Sequence, residues 1–321
     1  MTEERRDRPA AFHIPVLLEE SMEGLKVKGG GRYIDATLGA GGHAEAILEA
    51  SGPDGRLLGI DRDRQALKLA AAHLDIYRRR VVQRAGNFED IREIAMEAGW
   101  EEVDGIFFDL GVSSMQMDTS SRGFGFRQRA RLDMRMDQGQ EVSAWDVVNR
   151  YPMKELAGIF WELGQERLAR PIAAAIVEER RKKPVETTWD LAELVTGVYG
   201  RSGGRIHPAT RVFQALRIHL NRELDSLRSA LPAAVDLLRP GGRLAVISYH
   251  SLEDRVVKDG FRFLSGRCLC PAQVPVCVCG AARRLSLVTK RPIRPSSQEV
   301  SINRRSRSGR LRVAEKLEEA P

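Results

Sequence analysis

The stretch Arg32–Ala50, RYIDATLGAGGHAEAILEA, decides the fold. An apolar run enters it, Gly39, Gly41 and Gly42 fill its middle, and a helical pattern leaves it. That is the strand–turn–helix of a first βα unit, in which glycines permit a tight bend and let backbone N–H groups approach a ligand. Further on, RLLGID (Arg56–Asp61), RRVVQ (Arg79–Gln83) and GIFFDL (Gly105–Leu110) read as buried strands. HAEAILEA, RQALKLAAAHL and IREIAMEAG have helical spacing between them. Strand and helix in alternation predict an α/β fold with a mostly parallel, doubly wound sheet.

The rhythm breaks after Leu110. From about Met115 to Leu220 the chain is loop-rich and then helical, as in MKELAGIFWEL, RPIAAAIVEERRKK and WDLAELVTGVYG, with no convincing strand. It returns with NRELDSLRSALPAAVDLLRPGGRLAVISYHS, read as a long helix stopped by Pro240-Gly241-Gly242 and a strand ending near Ser248. The expected organisation is therefore a doubly wound domain (1–114 and 221–321) interrupted by an inserted helical domain (115–220), a segment of domain size.

The chain has 321 residues, with 42% hydrophobic and 30% charged, which suits a globular protein with a large core. No apolar run reaches the roughly 18 residues of a membrane span. The N-terminal MTEERRDRPA is charged without an apolar run behind it, so a cytoplasmic protein with no membrane partner is expected. The net charge of +7 favours an anionic partner. From Arg283 to Arg312 ten Lys/Arg stand against Glu299 alone, yet the strand-like patches LSLV and LRVAE are threaded through them.

The glycine turn fits two ligands. Gly39-Ala40-Gly41-Gly42-His43-Ala44 satisfies the G-x-G-x-x-G/A pattern of a dinucleotide-binding oxidoreductase using NAD. Asp61, 22 residues after Gly39 at the end of the next strand, has the offset of a ribose-binding acid in either reading. Asp35 before the turn favours S-adenosylmethionine, because a carboxylate suits a cationic amino-acid group and repels a pyrophosphate. Asp109, ending GIFFDL, stands where methyltransferases of this fold face the reacting centre. Glycines that merely pack helix on strand are the plainer alternative.

Longer motifs carry a resemblance. HIPVLLEE, DATLGAGGHAEAIL, GIDRD, FFDLGVSSMQMD, RGFGFR, LDMRMD, HPATRVFQALRI, GGRLAVISYHSLEDRVVK and NRRSRSGRLRVAEK, from about His13 to Lys316, resemble the RsmH (MraW) family. Its members are bacterial methyltransferases of 16S ribosomal RNA, acting on the N4 amine of a cytosine in the decoding centre. The resemblance implies a class I (Rossmann-like) S-adenosylmethionine-dependent methyltransferase fold with an inserted helical domain. It also implies 16S rRNA as partner, within the small ribosomal subunit. Carried over by position, Gly41, Gly42, His43, Asp61, Phe88, Asp109 and Gln116 would hold the cofactor, with Phe88 against the adenine.

Methyl transfer to an exocyclic amine needs acceptors for its N–H and no metal. Many amino methyltransferases supply them with an Asp/Asn/Ser-Pro-Pro-aromatic tetrapeptide, whereas this chain has Asp109-Leu110-Gly111-Val112. Asp109, Ser113, Tyr249 and His250 are the candidate catalytic groups. For SYHSLED a helix cap, with Ser251 and Asp254 as an S-x-x-D box, is expected as well. Arg122, Phe124, Phe126 and Arg127 have the aromatic-with-arginine composition of an RNA contact, and could equally be loop anchors. Arg205, His207 and Arg211 are candidate phosphate contacts.

Cys268, Cys270, Cys277 and Cys279 are the only cysteines, arranged as C-x-C, six residues, C-x-C. The clustering suggests a tetrathiolate zinc loop more than disulfides. Such a zinc would be structural and not catalytic. A homodimer is compatible with all of this. A pocket-bearing RNA-binding protein without turnover is the alternative of a different class.

Overall fold

The computed structural model describes residues 14–200, 207–270 and 278–318. The chain forms two compact units, one built from 1–111 with 224–321 and the other from 112–223.

The first unit holds a seven-stranded sheet of order β3-β2-β1-β4-β5-β7-β6. Its strands are β1 (Arg32–Asp35), β2 (Arg56–Asp61), β3 (Val81–Ala85), β4 (Val103–Asp109), β5 (Leu238–Ser248), β6 (Leu285–Leu287) and β7 (Arg310–Lys316). The first five are parallel, and β7 runs antiparallel to both β5 and β6. The mostly parallel, doubly wound sheet of a class I methyltransferase is thus the fold observed.

Both faces of the sheet are covered, which is why β4 reads as a continuous apolar run and not as an alternation. Ile106 and Phe108 pack with Ile34, Leu58 and Val246 on one face. Phe107 packs with Tyr33, Leu57, Ala245 and Val313 on the other. Helices Gly42–Ala50, Arg64–His73 and Ile91–Glu97 follow β1, β2 and β3.

One detail departs from expectation and one agrees with it. Pro240-Gly241-Gly242 does not separate helix from strand: helix Glu223–Leu237 passes directly into β5, and the three residues lie inside that strand. The pairing absorbs them as a register shift, with Val103 opposite Leu238 but Gly105 opposite Arg243. The basic C-terminal segment is woven into the sheet: β7 fills the place between β5 and β6, and the side chain of Arg312 is buried.

The second unit is helical. Helices Ala144–Arg150, Met153–Glu162, Ala169–Lys182, Thr188–Tyr199 and Ala209–Leu220 enclose a core that includes Val147, Phe160, Ile176, Leu191 and Leu216. No helix among the described residues is long and apolar enough to cross a membrane.

Candidate active site

The strand ends of the first unit gather three carboxylates around the glycine turn. The chain leaves β1 at Asp35, and Gly39 (φ 53°) and Gly41 (φ 90°) take the left-handed conformation that L side chains resist. Gly42 opens the following helix with no room for a side chain, since a Cβ there would meet Pro15 Cγ at 2.7 Å. Backbone N–H groups are thereby left close to whatever lies over the turn.

Asp61 fastens this turn. One carboxylate oxygen accepts from Gly39 N at 2.8 Å and the other from Asp63 N at 2.8 Å. Burial raises its pKa against those two bonds. Each oxygen keeps a further lone pair for a hydroxyl donor.

Asp35 is fully buried. Its Oδ1 accepts from Thr37 N at 3.1 Å, whereas Oδ2 has no hydrogen-bond partner. Burial pushes its pKa up to about 7, the Thr37 bond opposes this, and the charges of Asp109 and Asp61 add to it. A buried carboxylate in this state is costly when ionised and is relieved by a cationic ligand group.

Asp109 ends β4, and its backbone N–H donates to Thr37 Oγ at 2.6 Å. The Tyr249 hydroxyl donates to Asp109 Oδ1 at 2.8 Å. Burial first, and then Asp109, raises the Tyr249 pKa well above 10, so the phenol stays protonated and serves as donor. His43 Nδ1 lies 3.6 Å from Asp109 Oδ2, a spacing that suggests an ion pair. It is not one, because burial lowers the His43 pKa to about 4 and the ring is neutral at pH 7. Its Nε2 lies 3.0 Å from the Val16 carbonyl, which can only accept, so Nε2 carries the proton and Nδ1 is an acceptor facing Asp109.

Phe88 opens a single helical turn after β3. Its ring meets Phe108 edge-on with centroids 5.6 Å apart, and the Arg62 guanidinium lies 5.5 Å from its centroid. It is half-buried, so part of the ring remains available for stacking.

Tyr249 and His250 follow β5, but they differ in kind. His250 caps helix Ser251–Leu264: its Nδ1 accepts from Glu253 N at 3.4 Å, and Glu253 Oε2 accepts from His250 N at 3.3 Å. Its Nε2 lies 3.0 Å from Glu253 Oε1 without the geometry of a hydrogen bond. The expected Ser251–Asp254 box is therefore corrected to a His250–Glu253 box. Asp254 instead receives Arg312 Nε at 2.7 Å and Arg310 Nη1 at 3.2 Å, bonds available only because β7 runs beside β5.

In the second unit, Ser113 and Gln116 form a capping box on helix Ser114–Asp118. Ser113 Oγ accepts from Gln116 N, and Gln116 Oε1 from Ser113 N, both at 3.2 Å. Of the residues that could be RNA contacts or loop anchors, Arg122 and Phe124 have interior side chains. Arg122 Nη2 donates to the carbonyls of Arg135 and Met136, each at 3.0 Å, and Phe124 joins the helical core. Between them Gly123 (φ 70°) is obligatory, since a Cβ there would meet the Arg131 carbonyl. Phe126 stacks on His207 with centroids 4.5 Å apart and meets Phe213 edge-on. Arg127, His207 and Arg211 are exposed, whereas Arg205 lies outside the described residues.

Three residues that hold these segments in place went unnoticed in the sequence. Thr37 ties Asp35 to Asp109, Glu253 holds the backbone of Tyr249 at 2.8 Å, and buried Asn221 bonds Met134 O and Met136 N at 2.9 Å each. Thr37 alone had a signal, its place two residues after Asp35 in a turn.

The model of the MraW methylase family matches residues 10–317. A Ribosomal RNA small subunit methyltransferase H of Thermomicrobium roseum is 52% identical over 311 residues, spanning 97% of this chain and 95% of the relative. A protein of the same name from Carboxydothermus hydrogenoformans is 49% identical over 306 residues, 95% of this chain and 98% of the relative. The solved structure of a rRNA methylase from Streptococcus thermophilus aligns over 96% of this chain and all of that one, with a TM-score of 0.43 and 15% identity.

Proposed function

The chain belongs to the MraW methylase family, and from that premise we propose that it methylates the N4 amine of a cytosine in the decoding centre of 16S ribosomal RNA, with S-adenosylmethionine as donor. The observation that carries the reading is Asp35, a buried carboxylate with one unpartnered oxygen and two acids acting on it, at the foot of a glycine turn. A cofactor with a cationic sulfonium and ammonium fits that site, and a dinucleotide pyrophosphate does not. The sterically closed Gly42 and the Asp61 carboxylate support the same fit.

When bound, the cofactor supplies an electrophilic methyl group. Gly41 and Gly42 would cradle it, the Asp61 carboxylate would accept from ribose hydroxyls, Phe88 would stack on adenine, and Asp35 would face the positive charge. Tyr249 fixes the Asp109 carboxylate by donating to Oδ1. Asp109 accepts an N–H of the target amine, whose lone pair is otherwise delocalised into the ring, and takes up the proton as positive charge develops on nitrogen. His43, neutral, offers Nδ1 as a second acceptor. Gln116 and Ser113 are carried as site residues by family resemblance, as is His250, whose present bonds are those of a cap. Arg127, His207, Arg211 and the stacked Phe126 supply phosphate and base contacts in the helical unit, which we read as the substrate-recognition domain.

The test is labelled methyl transfer to small ribosomal subunits from a strain lacking the protein, with the product mapped by mass spectrometry. The expected product is a single N4-methylated cytosine in the decoding centre. Cofactor binding without transfer would favour an RNA-binding protein, and binding of NAD without S-adenosylhomocysteine an oxidoreductase.

A further inference from the structure

Outside the candidate active site, the first unit carries a cluster of thiols. Helix Ser251–Leu264 and β6 are joined by an excursion whose neck is closed by backbone alone. Ser265 and Arg283 form an antiparallel bridge, and Arg284 N donates to Leu264 O at 2.7 Å. Gly266 (φ 81°) lets the strands meet there, since a Cβ would come within 3.0 Å of Arg283 Cβ. Beyond the neck no helix or strand orders the described residues, yet three sulfurs converge.

Cys268, Cys270 and Cys279 place their Sγ atoms within 4.8 Å of one another. Cys268 and Cys279 Sγ are 3.7 Å apart, far beyond the roughly 2.05 Å of a sulfur–sulfur bond. Four thiolates bound tetrahedrally at about 2.3 Å from zinc have edges of about 3.8 Å, which this spacing matches. Cys270 N donates to Cys268 Sγ at 3.3 Å, the outer-shell bond that stabilises a thiolate two residues earlier. Gly280 (φ 66°) turns the chain directly after Cys279. Residues 266–289 contain no Asp or Glu, so the local donors are soft sulfurs, which select zinc-like ions over magnesium or calcium.

We propose that Cys268, Cys270 and Cys279 bind a thiophilic divalent cation, zinc in particular, as a structural site that ties Cys268 and Cys270 to Cys279 beyond helix Ser251–Leu264. A divalent cation placed among the three sulfurs displaces the thiol protons and attracts the thiolates so formed. The metal closes a long loop whose neck the backbone has already aligned. The site takes no part in methyl transfer and does not depend on that reading. Cys277 lies outside the described residues and is left unchanged in the test.

The full chain, expressed with added zinc and dialysed against metal-free buffer, is assayed for bound metal by mass spectrometry. About one zinc per chain is expected, falling at least tenfold in Cys268→Ser and Cys279→Ser. Cobalt titration of the unaltered protein provides a second readout that needs no variant: thiolate-to-cobalt charge transfer and intense tetrahedral ligand-field bands are expected. Absence of metal with the thiols consumed as disulfides would overturn the proposal. So would equal metal content in both variants, or an octahedral cobalt spectrum.

Discussion

Asp35 and Asp254 are carboxylates of the same unit with opposite fates. Asp254 receives two arginines from β7, and although burial raises its pKa, bonding to Arg312 and Arg310 outweighs this and holds it below the usual range. Asp35 has one backbone donor, one unpartnered oxygen and two neighbouring acids, and is pushed up to about 7. The fold completes the charge environment of one and leaves the other open. An acid completed by its own chain is a structural element, whereas one left incomplete at a glycine turn is a place for a ligand.

The strongest challenge to this contrast is Asp109→Asn, which keeps the shape and removes the basic acceptor. Methyl transfer is expected to fall about 10²–10⁴-fold while the folded chain persists, measured by single-turnover transfer. A loss under about tenfold would remove Asp109 from proton transfer.

Asp254→Ala leaves Arg312 buried without its carboxylate, and is expected to cost about 3 kcal/mol of stability with cofactor affinity unchanged. Denaturant unfolding and calorimetric cofactor titration give the two numbers. Impaired cofactor binding would blur the distinction between the two acids.

Asp35→Asn is expected to do the reverse. A carboxyl whose folded pKa is about 7, against an ordinary 3.8, destabilises the cofactor-free fold progressively as pH rises from about 4 to 7 and fully above 7. The amide should therefore stabilise the cofactor-free chain at pH 8 by about 2 kcal/mol, with little effect at pH 4, while cofactor binding weakens about tenfold. Asp254 has the opposite sign: its contribution is present above about pH 4 and is lost as pH falls through its lowered pKa. Thermal melts across pH separate the two. In the unaltered chain, cofactor affinity should rise as pH passes through about 7, because pairing with a cation requires ionised Asp35.

The smallest effect belongs to Tyr249→Phe, which removes the donor to Asp109 Oδ1 without touching its charge. A rate loss of about tenfold is expected, with cofactor affinity nearly unchanged. A change confined to affinity would place Tyr249 with the cofactor instead.

Much of this was legible in the residues themselves. The apolar run and the helical spacing in Arg32–Ala50 gave strand, turn and helix within a few residues of their observed ends, because those patterns are set by neighbours along the chain. The Gly39–Asp61 spacing singled out Asp61 as an acid at the turn, but not the hydrogen bond to Gly39 N by which it closes that turn. Composition near Arg122 left RNA contact and loop anchor both open because a guanidinium that caps buried carbonyls and one that meets a phosphate use the same residue types. His250 displaced Ser251 as the cap because the strand exit, and not the local S-x-x-D pattern, sets where the helix begins.

The sequence by itself determined the α/β alternation, the glycine turn and the identity of the acids around it, since each depends on short-range periodicity and steric freedom. Only the tertiary structure decided what those acids meet. Tyr249 reaches Asp109 across 140 positions and Arg312 reaches Asp254 across 58, both through the order in which strands join the sheet. Whether a carboxylate is neutralised or left waiting depends on that order, because charge interactions follow distance in space and not along the chain.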